Sequence, residues 1–357
     1  MTMKRFFALL LALALLLGCA GCGLPDAGLR TSVSSAKTDA ADLETAPFSV
    51  QFLDVGQADS ALVACGGHYL LIDGGNVDDG SYVVSALSSR GVKSLDYVVN
   101  THCDEDHCGG LAGVLAKFQA AHVWSSVRSY DSKAFSNFAK YASAQSHPIA
   151  IPSAGDAFAL GSAQVTVLGP LKQYDNNNDN SIVLRIVYGK TVFLFMGDAG
   201  RDAESDLVSA GADLSATVLK VGHHGSASST GYVFLREVMP QYAIISVGKD
   251  NSYGHPSDDT LSRLRDAGAS VYRTDLQGTV TAVSDGKTVT ITTGKTTTAP
   301  VNPTEKTDAA EYIGNVSTKV FHSADCASLP KEENRVYFDS YQDAVAAGYR
   351  PHSACLG

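Results

Sequence analysis

The sequence is short of positive charge: 27 Lys and Arg stand against 37 Asp and Glu, a formal charge of −10 at pH 7. Nucleic-acid affinity rests on clustered cations that neutralise phosphates. The balance therefore argues against general binding of a polyanion and leaves room only for a locally basic groove. Proline is scarce, at 11 residues, while hydrophobic residues make up 45%. That combination excludes a disordered, proline-rich chain and suits a packed α/β protein. Cysteine is sparse too. Cys19, Cys22, Cys65, Cys103, Cys108, Cys326 and Cys355 do not form the dense framework of a disulfide scaffold. No apolar run is long enough for a mature membrane-spanning helix, and no internal repeat is visible. The length, 357 residues, fits one large domain plus a small module.

At the N-terminus, Lys4 and Arg5 precede an apolar run from Phe6 to Leu17 that ends in Leu16-Leu17-Gly18-Cys19. A basic start, a short apolar stretch and small residues before a cleavage point describe a secretory signal. The ending resembles a bacterial lipobox. It implies a signal peptide over 1–18, lipid attachment to Cys19, and an exported protein held by that lipid on the outer face of the bacterial cell membrane. Cys22 is the rival and fits the pattern less well. Cleavage would leave 25 basic residues against 37 acidic ones. Residues 19–46, rich in Ser, Ala, Asp and Thr after the lipidated Cys, read as a flexible tether.

A main domain is expected over 47–294. Strand-like runs begin at Ser49 and recur at Ala61–Cys65, His68–Ile72, Leu95–Asn100, Gln164–Leu168, Ile182–Tyr188, Thr191–Met196, Thr217–Val221 and Tyr242–Val247. Three more follow between Ser270 and Thr292. Helical stretches fall among them: Tyr82–Arg90, Gly110–Phe118, Lys133–Ala144, Asp202–Ala210, Tyr232–Val238 and Ser257–Ala267. Strand pairs mixed with isolated helices argue for helix-covered, partly antiparallel sheets stacked on each other. Residues 295–310, rich in Thr, Lys and Pro, read as a linker, and 311–357 as a compact tail with a helix over Ser340–Ala347.

The strongest signal is Thr101-His102-Cys103-Asp104-Glu105-Asp106-His107-Cys108-Gly109-Gly110, directly after the apolar strand Tyr97-Val98-Val99. Imidazoles and carboxylates are natural ligands of divalent transition metals. A strand cannot turn His102, Asp104, Asp106 and His107 to one point, but a turn into a helix can, and Gly109 and Gly110 allow close backbone approach as the helix begins. Three further apolar strands end in an acid or imidazole: Leu70-Leu71-Ile72-Asp73-Gly74-Gly75, Phe193-Leu194-Phe195-Met196-Gly197-Asp198, and Val218-Leu219-Lys220-Val221-Gly222-His223-His224-Gly225-Ser226. One such Asp alone would more often be a turn residue. Together, in this order, they describe a site built on rigid elements.

That order resembles the metallo-β-lactamase superfamily. Within it, Phe52-Leu53-Asp54-Val55-Gly56-Gln57-Ala58-Asp59-Ser60, Tyr253-Gly254-His255-Pro256-Ser257 and Tyr272-Arg273-Thr274-Asp275 are similar to the soluble hydrolase domain of the ComEC family of DNA-uptake proteins. The resemblance implies an αβ/βα sandwich with two divalent metal ions, Zn or Mn, along one edge. It implies that His102 and Asp104 bind one ion and Asp106 and His107 the other, that Asp198 bridges them, and that His224 completes the second site. Asp73 would orient the cluster, and Asp106, His223 and His255 are the candidate catalytic residues, His255 by touching substrate or donating a proton. Many members carry His where Asp104 stands, and a harder oxygen ligand tilts the site toward Mn²⁺. The usual third-motif histidine is missing, and the matching region offers Asp179 or Asn180. Cys103 and Cys108 read as small fillers.

Two close metals lower the pKa of a water between them and clamp both oxygens of an in-line displacement. That suits phosphodiester hydrolysis, the activity the resemblance implies, so the expected function is a phosphodiesterase or nuclease at the outer cell surface, with a metal-bound hydroxide as nucleophile. Its substrate would be a phosphate ester, with DNA and wall polymer both open. The alternatives are a teichoic-acid or choline-phosphate esterase, a non-catalytic surface binding protein on the same fold, and, ranked lower, a lactamase or thioester hydrolase. In the tail, His322 and Cys326 are four apart and His352 and Cys355 three apart, spacings suited to a tetrahedral zinc site. The tail resembles the small zinc-binding domain of the Ada DNA-repair family. That family carries four cysteines, so its methyl-acceptor chemistry does not transfer. A Cys326–Cys355 disulfide is the competing link, and either would hold so small a module together.

Overall fold

The computed structural model describes residues 46–297, 301–302, 312–324, 326–338 and 341–356. The expected signal peptide, Cys19, the tether up to residue 45 and most of the linker lie outside the described residues.

Two seven-stranded sheets form the main body. In spatial order the first holds Val289–Thr293, Val280–Ser284, Phe48–Phe52, Ala61–Cys65, His68–Ile72, Ser94–Asn100 and Gln119–Ser125. The second holds Ser270–Arg273, Tyr242–Ile245, Val218–Lys220, Thr191–Phe195, Val183–Tyr188, Ala163–Gly169 and Ala157–Leu160. Strands expose alternate side chains on opposite faces, so one sequence can feed two cores. Phe48, Val50, Phe52, Val63 and Leu70 meet Val165, Ile186, Phe193 and Phe195 between the sheets. Phe52 stacks on Phe195 with ring centroids 5.7 Å apart. The opposite faces are covered by helices. Leu62, Leu71 and Val98 pack on Val83, Leu87, Leu111, Val114, Phe135 and Phe138. On the other side Leu194, Leu219 and Ala243 pack on Leu207, Phe234, Leu235 and Leu264. The result is a four-layered αβ/βα sandwich, the fold class expected.

Both sheets are mixed. His68–Ile72, Ser94–Asn100 and Gln119–Ser125 run parallel to one another. So do Thr191–Phe195, Val218–Lys220, Tyr242–Ile245 and Ser270–Arg273, while hairpins make up the remainder. Two strands are corrections to the pattern reading. Gln119–Ser125 opens with Gln-Ala-Ala-His, residues of little strand preference, and is strand only because it pairs with Ser94–Asn100. Ala157–Leu160 is a short edge strand held by Ala163–Gly169. Among the described residues no helix is long and apolar enough to cross a membrane.

The tail forms its own four-stranded sheet in the order Arg335–Phe338, Tyr312–Asn315, Val320–Ser323, Arg350–Pro351, with helix Tyr341–Ala346 against it. It packs on the main body through rings. Tyr341 stacks on Tyr232 at 4.4 Å, and the Tyr312 and Tyr232 hydroxyls donate to Asp266 at 2.8 and 3.2 Å.

Candidate metal centre

The parallel strands of both sheets deliver their carboxyl ends to one edge, the usual place for a ligand in α/β folds. His68–Ile72 leads into Asp73, Ser94–Asn100 into Thr101 and His102, Thr191–Phe195 into Asp198, and Val218–Lys220 into the paired histidines. The metal-binding turn differs in one respect from expectation. A helical turn already forms over Glu105–Cys108, before the helix Leu111–Lys117, and it folds Asp106 and His107 back toward His102. Gly110 permits this packing: a Cβ there would lie 2.0 Å from the Gly74 carbonyl oxygen. His223 and His224 take left-handed φ values of 49° and 52°, uncommon for residues with a side chain. This tight turn brings both adjacent imidazoles beside Asp198. Such backbone cost concentrates at functional sites.

Asp198 is the hub. Its Oδ1 lies 3.3 Å from His107 Nε2, and its Oδ2 lies 3.6, 3.8 and 3.9 Å from the Nε2 atoms of His224, His223 and His102. His224 Nε2 is also 3.2 Å from Asp106 Oδ2, and His102 Nε2 is 3.6 Å from Asp104 Oδ2. Donors each about 2.0–2.2 Å from one tetrahedral ion stand roughly 3.3–3.6 Å apart, and the separations here, 3.2 to 3.9 Å, bracket that range. Moreover, the Nε2 atoms of His102, His107 and His224 and Asp198 Oδ1 are buried with no hydrogen-bond partner. Buried polar atoms without partners are costly, and a cation among them would satisfy all four. The residues fit divalent metal.

The imidazoles are aimed from behind. His107 Nδ1 donates to Asp73 Oδ2 at 2.9 Å, and Asp73 also accepts from the Thr101 backbone N–H and hydroxyl, both at 2.8 Å. His224 Nδ1 donates to the Ser246 carbonyl at 2.9 Å. Each bond leaves Nε2 as the free lone pair toward the centre. Burial would raise the Asp198 carboxyl, but His107 and His224 outweigh it and hold it well below the carboxylate range. Burial opposes charge on His107, yet Asp198 and Asp73 lift it well above the ordinary imidazole value. His224 is raised in the same way, against burial, by Asp198 and Asp106. His223 and His255 shift down, through burial and neighbouring imidazoles.

Third-motif candidates Asp179 and Asn180 do not reach the centre. Asp179 accepts from the Gly200 N–H and the Asn176 amide, and Asn180 bonds the Tyr174 backbone and the Asn176 carbonyl. Both are consumed in shaping the turn. Their neighbours face the site instead: the Asn177 amide donates to Asp104 at 3.2 Å, and Asn178 lies 3.3 Å from His223. His255 stands beside the centre, its ring 5.5 Å from that of His223. The pattern reading gave no role to Asp59 and Lys220. Their side chains form a buried ion pair of 2.8 Å beneath the histidines. A lysine inside the apolar run Val218–Val221 was the available signal, since a buried ammonium requires a partner. An open cleft of about 460 Å³ adjoins the centre, lined by Asp104, Asn177, Asn178, Asp198 and His223.

Among the described residues the cysteines are free. Burial pushes the Cys103 and Cys108 thiols up to about 11 and about 12, so both are inert fillers. In the tail, His322 Nδ1, Cys326 Sγ, His352 Nδ1 and Cys355 Sγ close a ring of 3.4, 3.8, 3.4 and 4.0 Å. Nitrogen and sulfur at about 2.0 and 2.3 Å from one zinc ion stand roughly 3.6 Å apart. The four donors fit a tetrahedral ion, and no disulfide joins the two cysteines.

An αβ/βα sandwich carrying a His- and Asp-rich cluster at its strand ends defines a metal-dependent hydrolase-like protein. The Metallo-beta-lactamase superfamily matches residues 53–249, and the chain belongs to it. The metal binding domain of Ada matches residues 297–356, and the C-terminus is a Cys/His metal-binding module. Curated relatives include ComE operon protein 3 of Bacillus subtilis (strain 168), 31% identical over 252 residues, covering 65% of this chain and 32% of that protein. Competence protein ComA of Neisseria gonorrhoeae is 33% identical over 233 residues, 64% of this chain and 31% of that one. The ComEC-like resemblance is thereby borne out, and the chain spans about a third of the length of these relatives. Among solved structures, the metallo-beta-lactamase fold protein YhfI from Bacillus subtilis aligns at a TM-score of 0.44 and 11% identity, over 63% of this chain and 96% of that one.

Proposed function

We propose that this chain is a two-metal phosphodiesterase, exported and lipid-anchored at Cys19 on the outer face of the cell membrane. The observation that carries the reading is Asp198, a buried carboxylate ringed by the Nε2 atoms of four histidines. One ion would sit among Asp106, His107, His224 and Asp198. A second would sit among His102, Asp104 and Asp198, with His223 in place of the missing third-motif ligand. Charge supports two ions. Asp73, Asp104, Asp106 and Asp198 gather against the imidazoles of His102, His107 and His224, while Asp59 is paired with Lys220, so acid outweighs fixed cation beside the histidines. When bound, the metals supply a water deprotonated near neutral pH and neutralise phosphate charge. The chain's own residues do the rest: Asp73 and the Ser246 carbonyl orient the imidazoles, and Asn177 and Asn178 line the cleft for the ester. His255 stands where it would touch the substrate or hold the proton for the leaving oxygen.

The full chain with Mn²⁺ or Zn²⁺ should hydrolyse bis-p-nitrophenyl phosphate. Asp198→Ala should lose at least two ions by elemental analysis and lower turnover by a thousandfold or more, a loss of roughly 4 kcal/mol. The missing third-motif histidine favours a second reading, a non-catalytic surface binding protein. One or no ion in the main domain, with no ester turned over, would select it.

A further inference from the structure

Residues 226–231 join the paired histidines to helix Tyr232–Val238, and side chains from other elements hold them. The Ser226 N–H donates to the His223 carbonyl and the Ser229 hydroxyl to the Gly222 carbonyl, both at 2.8 Å. The Thr260 hydroxyl donates to the Ser226 carbonyl at 2.8 Å. Arg263 donates to the carbonyls of Ala227, Ser229 and Thr230 at 3.2, 3.1 and 2.9 Å. Glu204 accepts the Thr230 and Gly231 N–H groups. Glu204, Thr260 and Arg263 are all buried. Burying a guanidinium and a carboxyl to serve loop backbone is a cost that a plain surface connection does not carry. Here the connection backs the left-handed turn on which His223 and His224 stand.

The tail bears on the two helices that flank this clamp. Tyr341 lies flat on Tyr232, the first residue of helix Tyr232–Val238. The Tyr312 hydroxyl bonds Asp266, the last residue of helix Asp258–Asp266, which also carries Thr260 and Arg263. Tyr232 of the main body packs against the tail's own core of Tyr312, Phe321, Tyr341, Ala344, Tyr349 and Leu356. Phe321 is fully buried there, its ring 5.7 Å from Tyr312 and 5.0 Å from Tyr341. It precedes His322, and its carbonyl accepts the His352 N–H at 2.8 Å, so the four zinc donors fix its position. So small a core folds only with its metal, because the binding free energy is the folding free energy.

We propose that the tail is a zinc-dependent brace for the paired-histidine turn. With zinc bound it folds and seats its rings on Tyr232 and Asp266, which fixes the helices that clamp residues 226–231. Without zinc those rings leave, and the clamp loosens behind His223 and His224. The folding of the tail is the two-state element that such coupling requires. The inference concerns how the turn is held and rests on no particular substrate.

Residue-resolved amide hydrogen exchange on the full, metal-loaded chain tests this by comparing the parent with Cys326→Ser. The Thr230 and Gly231 amides should exchange about tenfold faster in the variant, while those of strand Val218–Lys220 stay within about twofold. The main-domain ions should remain bound as purified, yet EDTA should strip them about tenfold faster. Tyr341→Ala should quicken the same two amides whether or not the tail retains zinc. Tyr341→Phe, which drops a hydroxyl without a hydrogen-bond partner, should match the parent. Unmoved Thr230 and Gly231 amides in zinc-free Cys326→Ser overturn the inference. So do strand amides that quicken to the same degree, which would mark general loosening, and so does an unchanged stripping rate beside quickened amides. A parent main domain that holds no metal sinks the hydrolase reading, and the amides still decide the brace.

Discussion

Lys220→Met removes the ion-pair partner of Asp59, beneath the metal centre. Both side chains are buried, the Nζ–Oδ2 separation is 2.8 Å, and Asp59 Oδ1 has no hydrogen-bond partner. Met keeps most of the lysine stem, so lost packing is a minor part of the effect. A buried charge stripped of its partner costs about 3–5 kcal/mol. Protonation limits that cost. Neutralising a carboxyl of ordinary pKa about 3.9 at pH 7 takes about 4 kcal/mol, at 1.36 kcal/mol per unit. The variant should therefore lose about 3–4 kcal/mol at pH 7. At pH 5 the same limit is about 1.5 kcal/mol. In the native protein burial would raise the Asp59 carboxyl, but Lys220 holds it below its ordinary value, so the pair stabilises above the unfolded pKa and fails only in strong acid. In the variant the folded carboxyl prefers its proton, and the penalty grows as pH rises above about 4. Urea unfolding of the metal-loaded full chain at pH 5 and pH 7 reads both values. The double variant Asp59→Asn/Lys220→Met should recover most of the loss. A deficit below about 1 kcal/mol at pH 7, or an equal deficit at both pH values, would refute the reasoning.

Burial lifts the Glu204 carboxyl to about 7, although it accepts the Thr230 and Gly231 N–H groups at the start of helix Tyr232–Val238. A raised acid favours the protonated fold, so its contribution to stability falls as pH rises from about 4.5 to about 7 and is flat above. Glu204→Gln should abolish that decline, on the order of 3 kcal/mol, in urea midpoints compared at pH 5 and pH 8. Cys326→Ser should remove one zinc ion from the protein and leave the main-domain metals bound. Elemental analysis checks the count, and a reaction of Cys355 with a thiol reagent that chelators do not enhance in the parent protein would contradict a zinc-held tail.

Much of the centre was legible because metal chemistry restricts residue type. His102, Asp104, Asp106 and His107 fall within one short turn, and Asp198, His223 and His224 each follow an apolar strand. Buried parallel strands read as apolar runs, and what they deliver at their ends stands out against them. Two features were not legible. The Asn-rich turn shows several polar side chains with equal claim to a ligand position. Side-chain hydrogen bonds formed only in the folded chain tie Asp179 and Asn180 into the turn and set Asn177 and Asn178 against Asp104 and His223. The strand Gln119–Ser125 has too little local preference to declare itself before Ser94–Asn100 offers a ladder.

By itself, then, the sequence determined the class of fold, the acids and imidazoles available for metal, and the paired Cys/His spacing of the tail. These depend on periodicity and side-chain chemistry, which are local. Tertiary structure decided which acids and imidazoles gather around Asp198, and that Asp59 meets Lys220 across 161 positions of chain. Those are distances between separate strands and loops, and they arise only when two sheets stack and bring their strand ends to a common edge.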